Sequence, residues 1–302
     1  MSRSDPLISV IIPTYNYAHL LPRALDSVLG QWADDVELIV VNDGSTDNSA
    51  QVLADYQAQY PSRVQVLSQA NAGAAAARNH GIFNAHGRYA LLLDADDELL
   101  PEALSTLVAL VRANPATGMV LGAQYSIYPD GSERLRLPKA VPVASPRMLA
   151  QRYLLQKSIS ISHCCSLFRR DLLLQRPYPE NLRSGEDIPV FAYLLVSGPV
   201  LVTNTPLARI YKHADSLRHN RDNEEEYALR MVDEVFASLP AECQPLRRRY
   251  TAQRYLSLFR AAKNADDTSA ARRFYRQALR LSPLQALRWS YLRKGLRLFF
   301  GA

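Results

Sequence analysis

The stretch RYALLLDADDELLP, Arg88 to Pro101, decides how the rest of the chain is read. Tyr89 to Leu93 form an unbroken run of apolar or small residues, as a parallel strand covered on both faces requires. The run ends directly in Asp94, Asp96, Asp97 and Glu98. Like charges about 4 Å apart repel by roughly 1 kcal/mol in water and about 4 kcal/mol at an effective dielectric near 20. Carboxylates gathered at the mouth of a buried strand therefore need a cation, basic neighbours or good solvation.

Outward from this stretch, short apolar runs alternate with helical patterns. The strand candidates are Leu7–Pro13, Val36–Asn42, Arg63–Ser68, Tyr89–Asp94 and Gly118–Tyr128. Helical patterns occupy Leu20–Leu29, Asn48–Tyr60, Gly73–Ala85 and Pro101–Ala113. Asn71 is expected to cap the third, which is rich in alanine, the strongest helix former. Glu98, and in part Asp97, are expected to cap the fourth. The alternation implies a doubly wound, mostly parallel α/β sheet flanked by helices, with right-handed crossovers. Ligands of such sheets bind at the carboxyl ends of the strands. There the chain places PTYN (13–16), NDGSTD (42–47), QANAG (69–73) and DADD (94–97), so the acids sit in the expected ligand crevice.

Past Tyr128 the pattern loosens. YPDGSERLRL reads as a hairpin around Asp130-Gly131, and a proline-marked loop leads to a helix ending near Lys157. ISHCCSLFRR reads as a further strand, NLRSGEDIPVFAYLLVSG as a loop opening into a helix, and VLVTNTPLARIYKH as strand and turn. From about Asp222 only helices are expected, among them the amphipathic DTSAARRFYRQALRLSP (267–283), which begins with an Asp/Thr/Ser cap. That pair resembles half a tetratricopeptide unit, but no such period repeats.

Composition sets the class. The 302 residues are 48% hydrophobic and 21% charged, ordinary for a soluble chain with a real core. Three cysteines, with Cys164 and Cys165 adjacent, offer neither a metal-ligand spacing nor a disulfide framework, which favours a reducing, cytoplasmic setting. No apolar run approaches about 18 residues, and MSRSDPLISVIIP lacks a signal-peptide core, so the chain is not expected to span a membrane. The net charge of +6 is uneven: residues 1–215 carry 18 Lys and Arg against 20 Asp and Glu, residues 216–302 carry 17 against 9. A basic tail suits nucleic acid, anionic lipid or a solvated helix face. Without stacking aromatics or a recognised binding motif, nucleic acid is not an expected partner.

Four segments occur in order: SVIIPTYNYAHLLPRALDSVLGQ, ELIVVNDGSTDNS, NAGAAAARNHGIFNAHGRYALLLDADD and SGED. Together they resemble the family-2 inverting glycosyltransferases of bacterial polysaccharide and glycan biosynthesis, whose fold is called GT-A. The likeness covers roughly residues 7–215. It implies a GT-A domain over 1–220, with a nucleotide-sugar half at about 1–128 and an acceptor half at about 129–220, then a basic helical extension at 221–302. It also implies a nucleotide-sugar donor, most often a uridine diphosphate sugar, a glycan or lipid-linked glycan acceptor, and a divalent cation, Mn²⁺ or Mg²⁺.

Each motif has a chemical reason within that resemblance. Pro13 ends the first strand, while Tyr15 and Asn16 lie beside the donor base. Asp43 accepts a hydrogen bond from a base imino group and Gly44 lets the backbone turn close by, although Asp-Gly-Ser is equally a common turn. In DADD, Asp96 is the direct metal ligand and Asp94 contacts ribose or metal, since a hard cation takes carboxylate oxygens and substrate phosphates. Arg78 matches a position near the donor phosphates; on its own it reads as an exposed arginine on an alanine-rich helix. In SGED, Asp187 is the base that takes the acceptor proton and Glu186 orients the acceptor. Pro189 stands where many members carry an acidic or polar residue, which bears on acceptor preference. His213 is a third metal ligand or a diphosphate contact, with His219 a competitor and Ser216 a loop hydrogen-bonding group. His163 reads as structural; His19, His80 and His86 have no carboxylate or cysteine at metal spacing.

The last segment, SPLQALRWSYLRKGLRLFFGA (282–302), mixes Leu284, Leu287, Trp289, Leu292 and Leu296 with Arg288, Arg293, Lys294 and Arg297. It suits either peripheral contact with an anionic membrane, at the inner face of the cytoplasmic membrane, or packing of its apolar face on the protein. Two other functions stay open: a non-catalytic nucleotide-sugar or membrane-binding protein, and a sugar nucleotidyltransferase. The latter would carry a Gly-rich, basic phosphate loop after the first strand, where PTYNYAHLLPRA stands.

Overall fold

In the computed structural model, residues 6–212 and 223–300 are described, the side chains of 297–300 excepted. The chain divides into two compact units, residues 1–143 with 158–216, and residues 144–157 with 217–302.

In the first unit, β1 (Ile8–Thr14), β2 (Val36–Asp43), β3 (Val64–Gln69) and β4 (Tyr89–Leu92) run parallel in the order β3-β2-β1-β4. They are joined by α1 (Leu21–Leu29), α2 (Ser49–Gln59) and α3 (Ala74–Asn84). Alternate residues of the strands face opposite layers. Ile8, Val10, Ile12, Leu38, Val40 and Leu91 share one core with Leu21, Leu25 and Val28 of α1. Ile11 and Val41 face α3, which comes so close that a Cβ on Gly81 would lie 2.4 Å from Ile11 Cγ2. Both faces are covered, which is why these strands read as unbroken apolar runs.

After β5 (Glu98–Leu99) and α4 (Ala103–Ala113), β6 (Met119–Ile127) and β7 (Glu133–Arg136) form the expected hairpin. The chain then passes through α5 (Pro146–Ala150) and a π-helical turn, Gln151–Gln156. It returns to the sheet as β8 (Ser166–Arg169), α6 (Arg170–Gln175), α7 (Asp187–Ser197) and β9 (Val200–Tyr211). The completed order is β3-β2-β1-β4-β8-β6-β9-β5, with β7 on β6. β8 is antiparallel to both β4 and β6, so it carries the residues before it to the carboxyl edge of β4.

Three local expectations are corrected. Asn71 does not cap α3: its Nδ2 donates to the Asp43 carbonyl at 3.0 Å, and Gly73, at φ 93°, stands at the helix entry. Asp97 and Glu98 do not cap α4, which starts at Ala103; Glu98 is in β5, paired with Arg209 of β9. Arg78 is not an exposed helix residue but is 7% exposed, because its charge is met by carboxylates on two other segments.

The second unit contains α8 (Glu224–Ala237), a 3₁₀ turn (Ala241–Leu246), α9 (Arg247–Asn264), α10 (Thr268–Leu281), α11 (Pro283–Ala286) and α12 (Trp289–Phe300). Its core holds Leu256, Phe259, Phe274 and Tyr275. Asp267 caps α10 through the Ala270 amide at 2.9 Å. α12 packs by Tyr291, 6.5 Å from Phe259, and by Gly295 against the Tyr275 ring, while Trp289 is 75% exposed. Among the described residues no helix is long and apolar enough to cross a membrane.

Candidate active site

The loops at the carboxyl edge of β1, β2 and β3 are tied to one another. Asn16 adopts φ 59°, donates its amide to Ser45 Oγ at 3.0 Å and accepts from the Thr46 amide at 2.7 Å through Oδ1. PTYN and NDGST are thereby locked together, with Pro13 in β1 and Tyr15 44% exposed beside the lock. Asp43 is buried; its carboxylate accepts from Gln69 Nε2 at 2.8 Å and from the amides of Ala72 and Gly73 at 2.9 Å each. Gly44 takes φ 70°, and a Cβ there would lie 2.7 Å from the Asn71 amide nitrogen, so the turn expected at this glycine is required twice over.

Arg78, on α3, joins the two carboxylate centres. Nη2 donates to Asp94 Oδ1 at 2.9 Å and Nη1 to Glu186 Oε1 at 2.8 Å. Burial opposes both charges, but the pairing wins: Arg78 stays protonated, and the Arg78 charge holds the Asp94 carboxyl below its ordinary range. Asp187, in the first turn of α7, is moved the other way, its carboxyl raised by burial and then by Glu186.

The segment bearing Glu186 and Asp187 is pinned by residues that the sequence did not single out. Asn79, next to Arg78, donates to the Tyr178 carbonyl at 2.9 Å and accepts from its amide at 2.8 Å. The Tyr178 hydroxyl meets His163 Nε2 at 2.9 Å, and the His163 ring lies 4.9 Å from Phe191 of α7. His163 is thus structural in its contacts. Burial pushes its pKa down to about 3, so it is neutral.

Beside Asp94, the acids close into a turn in which the Asp97 amide donates to the Asp94 carbonyl. Asp97 is buried; its Oδ1 accepts from the Tyr211 amide at 2.9 Å and its Oδ2 from the Cys164 thiol at 3.0 Å. Burial and then Asp94 push the Asp97 carboxyl up to about 7, and the Cys164 thiol rises for the same first reason. The side chains whose ligand atoms converge are Asp94, Asp97 and Cys164; Asp96, half-buried at the turn, is not in that group. Arg23 of α1 donates to the Asp96 carbonyl and stacks 3.6 Å over the Tyr211 ring. The Tyr17 phenol is raised by burial and by Asp96, Asp94 and Asp97, so it faces the same cluster. His213, Ser216 and His219 lie outside the described residues.

Sequence reasoning missed Cys164, Arg23, Tyr17, Asn79 and Tyr178. Tyr17 directly follows PTYN, and Asn79 follows Arg78 in AAAARNHG, so a signal for these two was present. Cys164 reaches Asp97 only because β8 inserts antiparallel beside β4, which local patterning does not encode.

This geometry can be set beside known proteins. The family model described as Glycosyl transferase family 2 matches residues 9–176. An uncharacterized glycosyltransferase of Nostoc sp. is 42% identical over 113 residues, 37% of this chain and 35% of that protein. The chondroitin synthase of Pasteurella multocida is 37% identical over 127 residues, 42% of this chain and 13% of that protein. The chain thus spans about a third or less of the length of these relatives. The crystal structure of S. aureus TarS 1–349 in complex with UDP-GlcNAc shares the fold, with TM-score 0.69 and 18% identity over 96% of this chain and 90% of that one. The match over more than half the chain, on a GT-A sheet with its acids at the carboxyl edge, makes this chain a member of glycosyl transferase family 2.

Proposed function

We propose that the protein transfers a glycosyl group, with inversion, from a nucleotide sugar to a hydroxyl of a glycan or lipid-linked glycan. The observation that carries this is the Arg78 bridge, which brings the carboxylate at the end of β4 and the Glu186-Asp187 pair within the reach of one guanidinium. A uridine diphosphate sugar is the donor we favour, since TarS, which shares this fold, binds UDP-GlcNAc. Pro13, Tyr15, Asn16 and Asp43 form the base side of the site, and Arg78 and Asp94 its phosphate side.

In transfer, the acceptor hydroxyl gives its proton to Asp187 while its oxygen attacks the anomeric carbon. The bond from that carbon to the diphosphate breaks, and the nucleoside diphosphate leaves with the electron pair. A carboxyl raised by burial and by a neighbouring acid is a stronger base than a free aspartate, which suits Asp187. Glu186, fixed by Arg78, orients the acceptor.

The residues present fit a divalent cation. Ligand atoms of Asp94, Asp97 and Cys164 converge at the end of β4, and the two carboxylates offer a hard cation oxygen ligands there. Of these, Asp94 would hold Mn²⁺ or Mg²⁺ together with Asp96 and His213, the further ligands that the family resemblance implies. Such an ion would offset the diphosphate charge and would stabilise the leaving group. For the second unit we propose peripheral contact with an anionic membrane through α11 and α12, at the cytoplasmic face, where three buried free cysteines would stay reduced.

Two measurements test the reading together. Thermal shift with nucleoside diphosphates and their sugars, with and without Mn²⁺, is expected to show a Mn²⁺-dependent rise with one nucleotide; a ligand at 100 times its Kd adds about 2.7 kcal/mol. Asp187→Asn is expected to keep that rise and lose transfer by about 10²-fold or more. Equal loss of binding and transfer would remove Asp187 from the base role.

A further inference from the structure

A cavity of about 450 Å³ opens between β6, β7 and the segment before β8. We infer that it binds an anionic group of phosphate type carried by the acceptor. The word acceptor rests on the glycosyl-transfer reading; the anion site itself does not.

The cavity's charge is opposite to that of its surroundings. Arg136, Lys139 and Lys212 line it, and none of the described lining residues is acidic. Yet residues 1–143 and 158–216 together carry 15 Lys and Arg against 20 Asp and Glu. The whole chain has five lysines, and two of them are here. Such a concentration on an acidic unit is not what a randomly solvated surface gives, and it favours an anion electrostatically.

The lining also supplies hydrogen-bonding groups. Serine hydroxyls from β6 and from the segment before β8 line it. Arg136 is held in place by donating to the Tyr128 hydroxyl at 2.8 Å, so its planar fork is already partly ordered.

Lys212 follows Tyr211, whose amide donates to Asp97 at 2.9 Å. Cys165 lines the cavity, and the thiol of its neighbour Cys164 donates to Asp97 at 3.0 Å. On two separate elements, the cavity is therefore one residue from the acid cluster. A group bound there would place the attached hydroxyl on the acceptor side of that cluster. A phosphodiester in a soluble polyol chain and the phosphate of a lipid-linked acceptor present the same chemistry.

The test uses the full chain with its lysines reductively ¹³C-methylated, which keeps their charge. Five side-chain signals, assigned by single Lys→Arg changes, are followed during titration with glycerol 1-phosphate, with glycerol, and with dihexanoyl phosphatidic acid. Saturable shifts confined to Lys139 and Lys212, given by the phosphates and not by glycerol, are expected. Tighter binding of the lipid would point to a lipid phosphate, equal binding to a soluble phosphodiester; both support the site. The double variant Lys139→Glu, Lys212→Glu, which removes both reporters and is therefore followed by isothermal titration calorimetry beside the unsubstituted chain, is expected to weaken binding about tenfold or more. No shift at these two lysines, equal shifts at all five, or unchanged affinity in the double variant overturns the inference. The readout needs neither donor nor transfer, so a failure of the glycosyl-transfer reading would be seen separately.

Discussion

His163 shows how one side chain can tie acid sensitivity to the geometry of a site. Its ring is held by the Tyr178 hydroxyl and by Phe191, and burial holds its pKa near 3, far below the 6.5 of an unfolded histidine. Between those values the unfolded chain binds more protons than the folded one. The contribution is therefore complete above pH 6.5 and is lost as pH falls towards 3. Going from pH 7 to pH 5 costs about 2 kcal/mol from this residue. His163→Gln keeps a partner for Tyr178 but does not titrate, so its unfolding free energy should fall by that much less over the same interval. Urea unfolding of both proteins at the two pH values measures the difference; equal losses would show that His163 is not the titrating group. The contrast with Arg78 is instructive. Arg78 is also buried, yet it stays charged because two carboxylates meet it. Their identity as acids was legible in DADD and SGED, while the arginine's burial was not, since its partners lie 16 and 108 residues away.

Helix α3 carries more of the site than its composition suggests. It supplies Arg78 and Asn79, and it can do so only because Gly81 lets it lie close on β1 and β2. A methyl at this position would sit 2.4 Å from Ile11 Cγ2 and 3.2 Å from Val41 Cγ2. Both are on β-branched side chains of central strands, which have few rotamers with which to yield. Gly→Ala in a helix interior gains about 1 kcal/mol in propensity, whereas overpacking costs about 1–3 kcal/mol. The balance favours loss, so Gly81→Ala should lower the melting temperature by a few degrees; a rise would mean that α3 can move outward freely. The sequence showed the alanine-rich helix, the strands on either side and the carboxyl-edge loops, because each is written in local periodicity. It misplaced the caps of α3 and α4 because both depend on distant pairing. Asp43, not Asn71, takes the amides of Ala72 and Gly73 ahead of α3, and β9 recruits Glu98 into β5. β8 itself was foreseen as a strand, but its antiparallel place between β4 and β6 was not, and that place brings Cys164 to Asp97.

Charge divides with the compact units more sharply than with sequence position. The unit of residues 144–157 and 217–302 carries 20 Lys and Arg against 9 Asp and Glu, the other 15 against 20. The final segment presents two different sides on α12, one packed and one exposed. Tyr291 and Gly295 face Phe259 and Tyr275, while Trp289, Arg293 and Leu296, at helical spacing i, i+4 and i+7, are exposed. Leu284 and Leu287, around α11, are exposed as well, so aromatic, aliphatic and cationic groups share the outer face. That mixture suits an interface of acyl chains and anionic headgroups. Each cation near such a surface contributes about 1 kcal/mol. Arg293→Glu with Lys294→Glu should therefore cost at least about 2 kcal/mol, or roughly thirtyfold in partitioning to phosphatidylglycerol vesicles. Trp289→Ser should weaken binding to the same vesicles without changing its salt dependence, because it removes apolar contact and no charge. Co-sedimentation across a salt series reads both effects. Unchanged partitioning in the charge variant, or equal binding to neutral phosphatidylcholine vesicles, would rule out an electrostatic membrane role for this face.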